Sequence, residues 1–194
     1  MNIPLSFWRN ASPKRKRIYS IIFMLVLAIA TTLLGTLVPL SAQDAKQIND
    51  SINRTVTTNT ANGTLVEAIF LNNFGLCLAM FIPLAGAVFG LFVMFNTGIA
   101  LGAELRVQSA SAASATVPSI SPTTAIIGLL FIGLTFLIEY VSYSIGIAES
   151  VWLFRRLTQR RWGELKNTGI LIGIVVALLI TGAIVETWVI TTIV

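Results

Sequence analysis

The sequence contains no histidine and a single cysteine, Cys77, in 194 residues. Without histidine the chain lacks the commonest metal ligand, the usual general base and the usual haem ligand. One cysteine excludes an intrachain disulfide and a thiolate metal cage. Ser–His–Asp and Cys–His catalytic sites cannot be built from this chain alone. Neither a Walker-type phosphate loop nor a dinucleotide fingerprint is present. Cys77 with Met80 and Met94 has no ligand-like spacing and reads as packing, not as a soft-metal site. These absences predict no enzyme, no metal and no cofactor.

Charge is also scarce. Charged residues make up 11% of the chain and hydrophobic residues 55%. A soluble globule carries about 25% charged residues, so this chain could not wet its own surface. The formal charge is +5. The basic residues sit at the ends of apolar runs, where they read as topology signals and not as a nucleic-acid footprint.

What is present is a series of apolar stretches. A bilayer core about 30 Å thick needs roughly 20 apolar residues per helical crossing. The predicted fold is all-α: a polytopic transmembrane helical bundle forming one integral membrane domain, with about five membrane segments. A basic N-terminus, 1–17, precedes an uncleaved span over 18–40, whose apolar stretch exceeds a signal-peptide core. Residues 41–67 read as a polar external loop. Residues 68–105 read as a tight or re-entrant helical hairpin, because Pro83 and Gly86 fall near the middle of a stretch just long enough for two short crossings. A second external loop over 106–123 contains Pro118 and Pro122. A span over 124–154, a basic loop over 155–167 and a last span over 168–194 follow.

All Lys and Arg residues except Lys46, Arg54 and Arg106 then fall on segments placed inside the cell. That bias predicts a multi-pass cell-membrane protein, N-terminus cytoplasmic and C-terminus external. Trp8, Trp152, Trp162 and Trp188 all fall near the predicted interfaces. The loop over 41–67 carries N-x-S/T sequons at Asn49, Asn53 and Asn62. A Ser/Thr/Asn-rich loop makes sequons by chance as readily as it makes glycan acceptors, and both readings leave the segment solvated.

The candidate site residues are the polar groups inside the apolar segments. Glu139 lies midway along the fourth segment, where a carboxylate should face the protein interior with a partner or a proton. Tyr143 lies one turn away on the same face, and Tyr140 flanks the pair. Asn72 and Asn73 open the hairpin, where they either bond across helices or form a wet helix start. Asn96 lies deeper and should bond across helices. Glu149 is expected to pair with Arg155 and Arg156, and Glu186 to reach the outer headgroups. Small-xxx-small pairs at Gly86/Gly90, Gly98/Gly102 and Gly169/Gly173 predict close helix packing within the chain or against partner subunits.

The run Phe70-Leu71-Asn72-Asn73-Phe74, the apolar stretch to Phe95-Asn96-Thr97-Gly98, and Leu101-Gly102 carry a resemblance. Over roughly residues 18–192 the chain resembles the stage II sporulation protein M family of small integral membrane proteins. Glu139 matches the glutamate of that family's P-H-G-x-x-E motif, while Leu134-Thr135-Phe136 replace its Pro-His-Gly. The resemblance implies a non-catalytic scaffold or accessory subunit of a larger membrane complex. The expected partners are membrane lipids and other membrane subunits or a second copy, with no nucleic acid. The alternative is a small transporter or channel, with Glu139 and Asn96 lining a polar path and the hairpin around Pro83 forming a half-helix site.

Overall fold

The computed structural model describes residues 10–112 and 122–192. Trp8, Arg9, Pro118 and the sequence ends lie outside these residues. The described residues form six helices: α1 (Pro13–Thr36), α2 (Ala42–Ala61), α3 (Leu65–Met80), α4 (Ala85–Ala112), α5 (Pro122–Thr158) and α6 (Glu164–Thr192). Four carry stretches long and apolar enough to cross a membrane: Pro13–Thr36, Ala85–Ala110, Leu130–Thr158 and Glu164–Thr192. The chain is an all-helical membrane protein. The expectation of about five segments reduces to four such helices plus one shorter apolar helix, α3.

Local chemistry explains the boundaries. Pro13 at the first turn and Ser12 as N-cap start α1, because a proline there gives up only an amide that has no intrahelical partner. The stretch expected as a loop over 41–67 is instead largely the helix α2. The Ser41 hydroxyl accepts the Asp44 amide at 3.1 Å, and Ala45, Ile48, Ile52 and Val56 recur at helical spacing. That spacing, not the polar composition, decides the conformation. The sequon residues Asn49 and Asn53 lie on this helix, Asn53 exposed and Asn49 half-buried, and exposed Asn62 caps its end.

The hairpin is real but unequal. Its first arm, α3, has 16 residues, about 24 Å of helix, short of a full crossing. Its second arm, α4, has 28 residues and runs on to Ala112, so the first part of the expected loop over 106–123 is helical. Leu84 reverses the chain with φ 64°. The tip is tied to α5: the Ser150 hydroxyl donates to the Ile82 carbonyl at 2.6 Å and accepts the Ala87 amide at 3.1 Å. At the far end of α4, the Arg106 guanidinium donates to the Val38 and Leu40 carbonyls at 3.0 and 2.8 Å. It thereby satisfies backbone groups left open where α1 ends.

Helix α5 is the centre of the bundle. It packs on α1, α3, α4 and α6, and every residue from Ser142 to Ser150 is buried. Small residues in that stretch (Ser142, Ser144, Gly146, Ala148, Ser150) let four helices approach one axis. Helices α1 and α4 run parallel and touch backbone to backbone. A Cβ placed on Gly98 would collide with the Thr32 carbonyl oxygen, and one on Gly35 with the Phe95 carbonyl oxygen. Gly86, Gly90 and Gly102 also sit at contacts inside the chain. Gly169 and Gly173 do not: both are exposed on α6, with nothing within 4 Å of a would-be Cβ. Among the described residues that pair therefore packs against no other helix of the chain.

Candidate functional site

Two polar clusters stand inside the bundle. The first is built around Glu139, midway along α5. The Asn73 side-chain amide, on α3, donates to Glu139 Oε1 at 2.5 Å, and Asn72 donates to the Asn73 side-chain carbonyl at 3.1 Å. The Asn72-Asn73 pair thus bonds across helices through Asn73, while Asn72 stays exposed. Tyr143 is buried one turn further along α5. Glu186, half-buried on α6, lies within electrostatic reach of Glu139.

Asn96 does not join this cluster. Its amide donates to the Phe92 carbonyl of its own helix at 2.8 Å, and the side chain is exposed. An amide facing lipid satisfies itself locally when its own i−4 carbonyl is within reach. Among the described residues no hydrogen bond joins Asn96 to Glu139.

The second cluster was not anticipated. Glu149 is 1% exposed, and its carboxylate meets Arg17 of α1 in a two-pronged pair: Nε to Oε2 at 2.9 Å and Nη2 to Oε1 at 2.8 Å. The Thr168 hydroxyl of α6 donates to Oε1 at 2.5 Å. Arg17 Nη2 also reaches Glu164 Oε2 at 3.4 Å, and its guanidinium lies 5.3 Å from the Trp152 ring centroid. Glu149 therefore pairs with Arg17, not with Arg155 and Arg156. The bidentate geometry explains the choice: a planar guanidinium matches both carboxylate oxygens, and each bond formed away from water offsets the desolvation of a buried charge. The only sequence signal was placement, with Arg17 the last cation before the apolar run and Glu149 set among apolar residues. The partners lie 132 residues apart.

A third, neutral chain links three helices. The Tyr140 hydroxyl donates to Thr32 Oγ1 at 2.8 Å, and Thr32 in turn reaches the Met94 carbonyl at 3.1 Å. Cys77 is buried, its thiol 3.4 Å from the Ser142 carbonyl. No three or more Cys, Asp or Glu side chains converge on a metal-binding point among the described residues.

Glu149 and Glu139 lie ten residues apart on one helix, about 15 Å along its axis. One cluster thus sits at the end of the bundle that holds the basic segments, and the other near mid-depth. Both use their polar atoms to join helices: α1, α5 and α6 through Glu149, and α3 and α5 through Glu139. The chain matches no family model, no curated protein and no solved structure.

Proposed function

We propose that this chain is a non-catalytic integral membrane scaffold or accessory subunit, of the kind the stage II sporulation protein M family exemplifies. The observation that carries this reading is the outer face of α6. Gly169, Gly173, Ala177 and Thr181 follow one another at four-residue spacing, and all are exposed. Among the described residues nothing lies within 4 Å of a Cβ placed on either glycine. In lipid such a ridge favours a second helix, because small residues let backbones approach and gain dispersion contacts that flexible acyl chains supply less well. Gly35 and Gly98 serve that purpose inside the chain. The transporter reading is less well supported, since Asn73 already engages Glu139 and Asn96 points elsewhere.

The full chain purified from native membranes in mild detergent is expected to elute in a complex with itself or with other subunits. Gly169→Ile with Gly173→Ile should convert that complex to a lone chain while leaving the bundle folded. A wild-type chain that runs as a solitary monomer under the same conditions would sink the proposal.

The orientation proposed is N-terminus cytoplasmic and C-terminus external, supported by the Arg17–Glu149 and Arg17–Glu164 contacts. They bring the basic start of α1 to the same end of the bundle as the basic α5–α6 turn, so both obey one charge bias. The single native cysteine is buried, which makes introduced cysteines clean reporters. A cysteine at Gln159 should react with a membrane-impermeant maleimide only after the cells are opened, and one at Thr58 in intact cells. The reverse pattern would invert the topology.

A further inference from the structure

We propose that the α5–α6 turn and the start of α1 together form a binding surface for the phosphate headgroups of anionic lipids. The fold joins two basic segments that are distant in sequence. Lys14, Arg15 and Lys16 precede the apolar face of α1, while Arg155, Arg160, Arg161 and Lys166 flank the turn, and all but half-buried Lys16 are exposed. The acids at this end are Glu149 and Glu164, and Arg17 engages both. The hairpin tip over 81–85 adds no charge. The remaining cations are therefore left without an acidic partner among the described residues.

The turn itself places arginine where glycine would sit more easily. Helix α5 closes with the Arg161 amide donating to the Arg156 carbonyl at 3.0 Å and the Arg160 amide to the Leu157 carbonyl at 2.9 Å. This is a Schellman closure, whose left-handed position glycine fills without a Cβ clash. Arg160 occupies it with φ 57°. A cation near the helix C-terminus gains something from the dipole, but that gain does not require the left-handed site. Arg156 stacks over the Trp152 ring at 4.5 Å, and its Nε has no hydrogen-bond partner among the described residues.

The apolar groups among these cations select the ligand. Trp162 is 64% exposed and Leu165 47% exposed, both between the arginines of the turn and Lys166 or beside it. A soluble polyanion would meet the cations and leave these side chains in water. A lipid offers a phosphate to the guanidinium groups and an acyl region to the indole and leucine, as juxtamembrane basic surfaces do.

The test uses the full chain in detergent, with phosphatidylglycerol and phosphatidylcholine supplied in equal amounts and bound lipid counted by native mass spectrometry. Preferential retention of phosphatidylglycerol is expected. Arg160→Gly with Arg161→Gln should reduce that preference by roughly tenfold or more. Because Arg160→Gly removes backbone strain, the variant's thermal unfolding in lipid-free detergent should be no lower than that of the wild type. Equal retention of the two lipids, or a preference unchanged in the variant, overturns the proposal. Sodium phosphate and sodium chloride at matched ionic strength should weaken retention equally; displacement specific to phosphate would assign the surface to free phosphate instead. Tighter binding of a short single-stranded DNA than of phosphatidylglycerol vesicles would overturn the lipid assignment. Lipid preference and subunit association are read separately, so either can fail alone.

Discussion

Replacing Arg17 by methionine should cost about 3–5 kcal/mol of bundle stability, the scale seen when one member of a buried ion pair is removed. Glu149 would keep its place at 1% exposure with the Thr168 hydroxyl as its remaining donor from another helix. It would then carry a buried charge that its lost partner no longer compensates. Arg17→Lys should fall in between, because an ammonium cannot reproduce the two parallel bonds of the guanidinium. Glu149→Gln should be milder than Arg17→Met: Arg17 is 18% exposed, reaches water and keeps Glu164. The double change Arg17→Met with Glu149→Leu should recover much of the loss, since apolar groups of similar volume commonly match or exceed a buried pair. Unfolding of the full chain in mild detergent, followed by helical signal against added denaturing detergent, reads all four. An Arg17→Met chain that unfolds with the wild type would mean the pair holds nothing together.

That pair marks where the sequence stopped being legible. The membrane class, the helical fold and the hairpin follow from length and hydropathy, which act locally and can be read along the chain. The polar composition of α2 points to a loop, whereas the spacing of Ala45, Ile48, Ile52 and Val56 is that of the helix it forms. Glu139 was recognised as an interior group because a mid-span carboxylate has few options, but its partner was not. Depth in the sequence favours Asn96 over Asn73 as the donor, but helix registry puts Asn73 beside Glu139 and leaves Asn96 exposed on its own helix. Nearness in sequence points Glu149 to Arg155 and Arg156, but its partner is Arg17. Residues six and seven positions on along a helix lie well over a turn away, and the fold brought Arg17 closer from another helix. The glycines divided in the same way. Spacing marks Gly98 and Gly173 alike, whereas Gly35, which meets Gly98, has no glycine four residues away to mark it.

The glycines also yield a ranked prediction with a large span. Gly98→Ala should destabilise the bundle by about 3 kcal/mol, the upper part of the usual overpacking range, because the new methyl meets backbone. The Thr32 carbonyl oxygen and the Gly35 Cα both lie in its way. Thr32 cannot swing aside cheaply: its hydroxyl bridges Tyr140 and the Met94 carbonyl, so parting α1 from α4 also strains that link to α5. Gly102→Ala should cost less, since its nearest neighbour, the Thr36 carbonyl oxygen, lies at 3.0 Å and a few tenths of an ångström of relief suffice. Gly173→Ala should leave unfolding unchanged or raise stability slightly. Nothing among the described residues of the chain itself opposes its methyl, and alanine favours a helix over glycine by up to about 1 kcal/mol. The order Gly98, Gly102, Gly173 in unfolding measurements would establish that α1 and α4 meet at backbone distance. Equal effects at Gly98 and Gly173 would mean that they do not, and that the two glycine ridges serve the same surface.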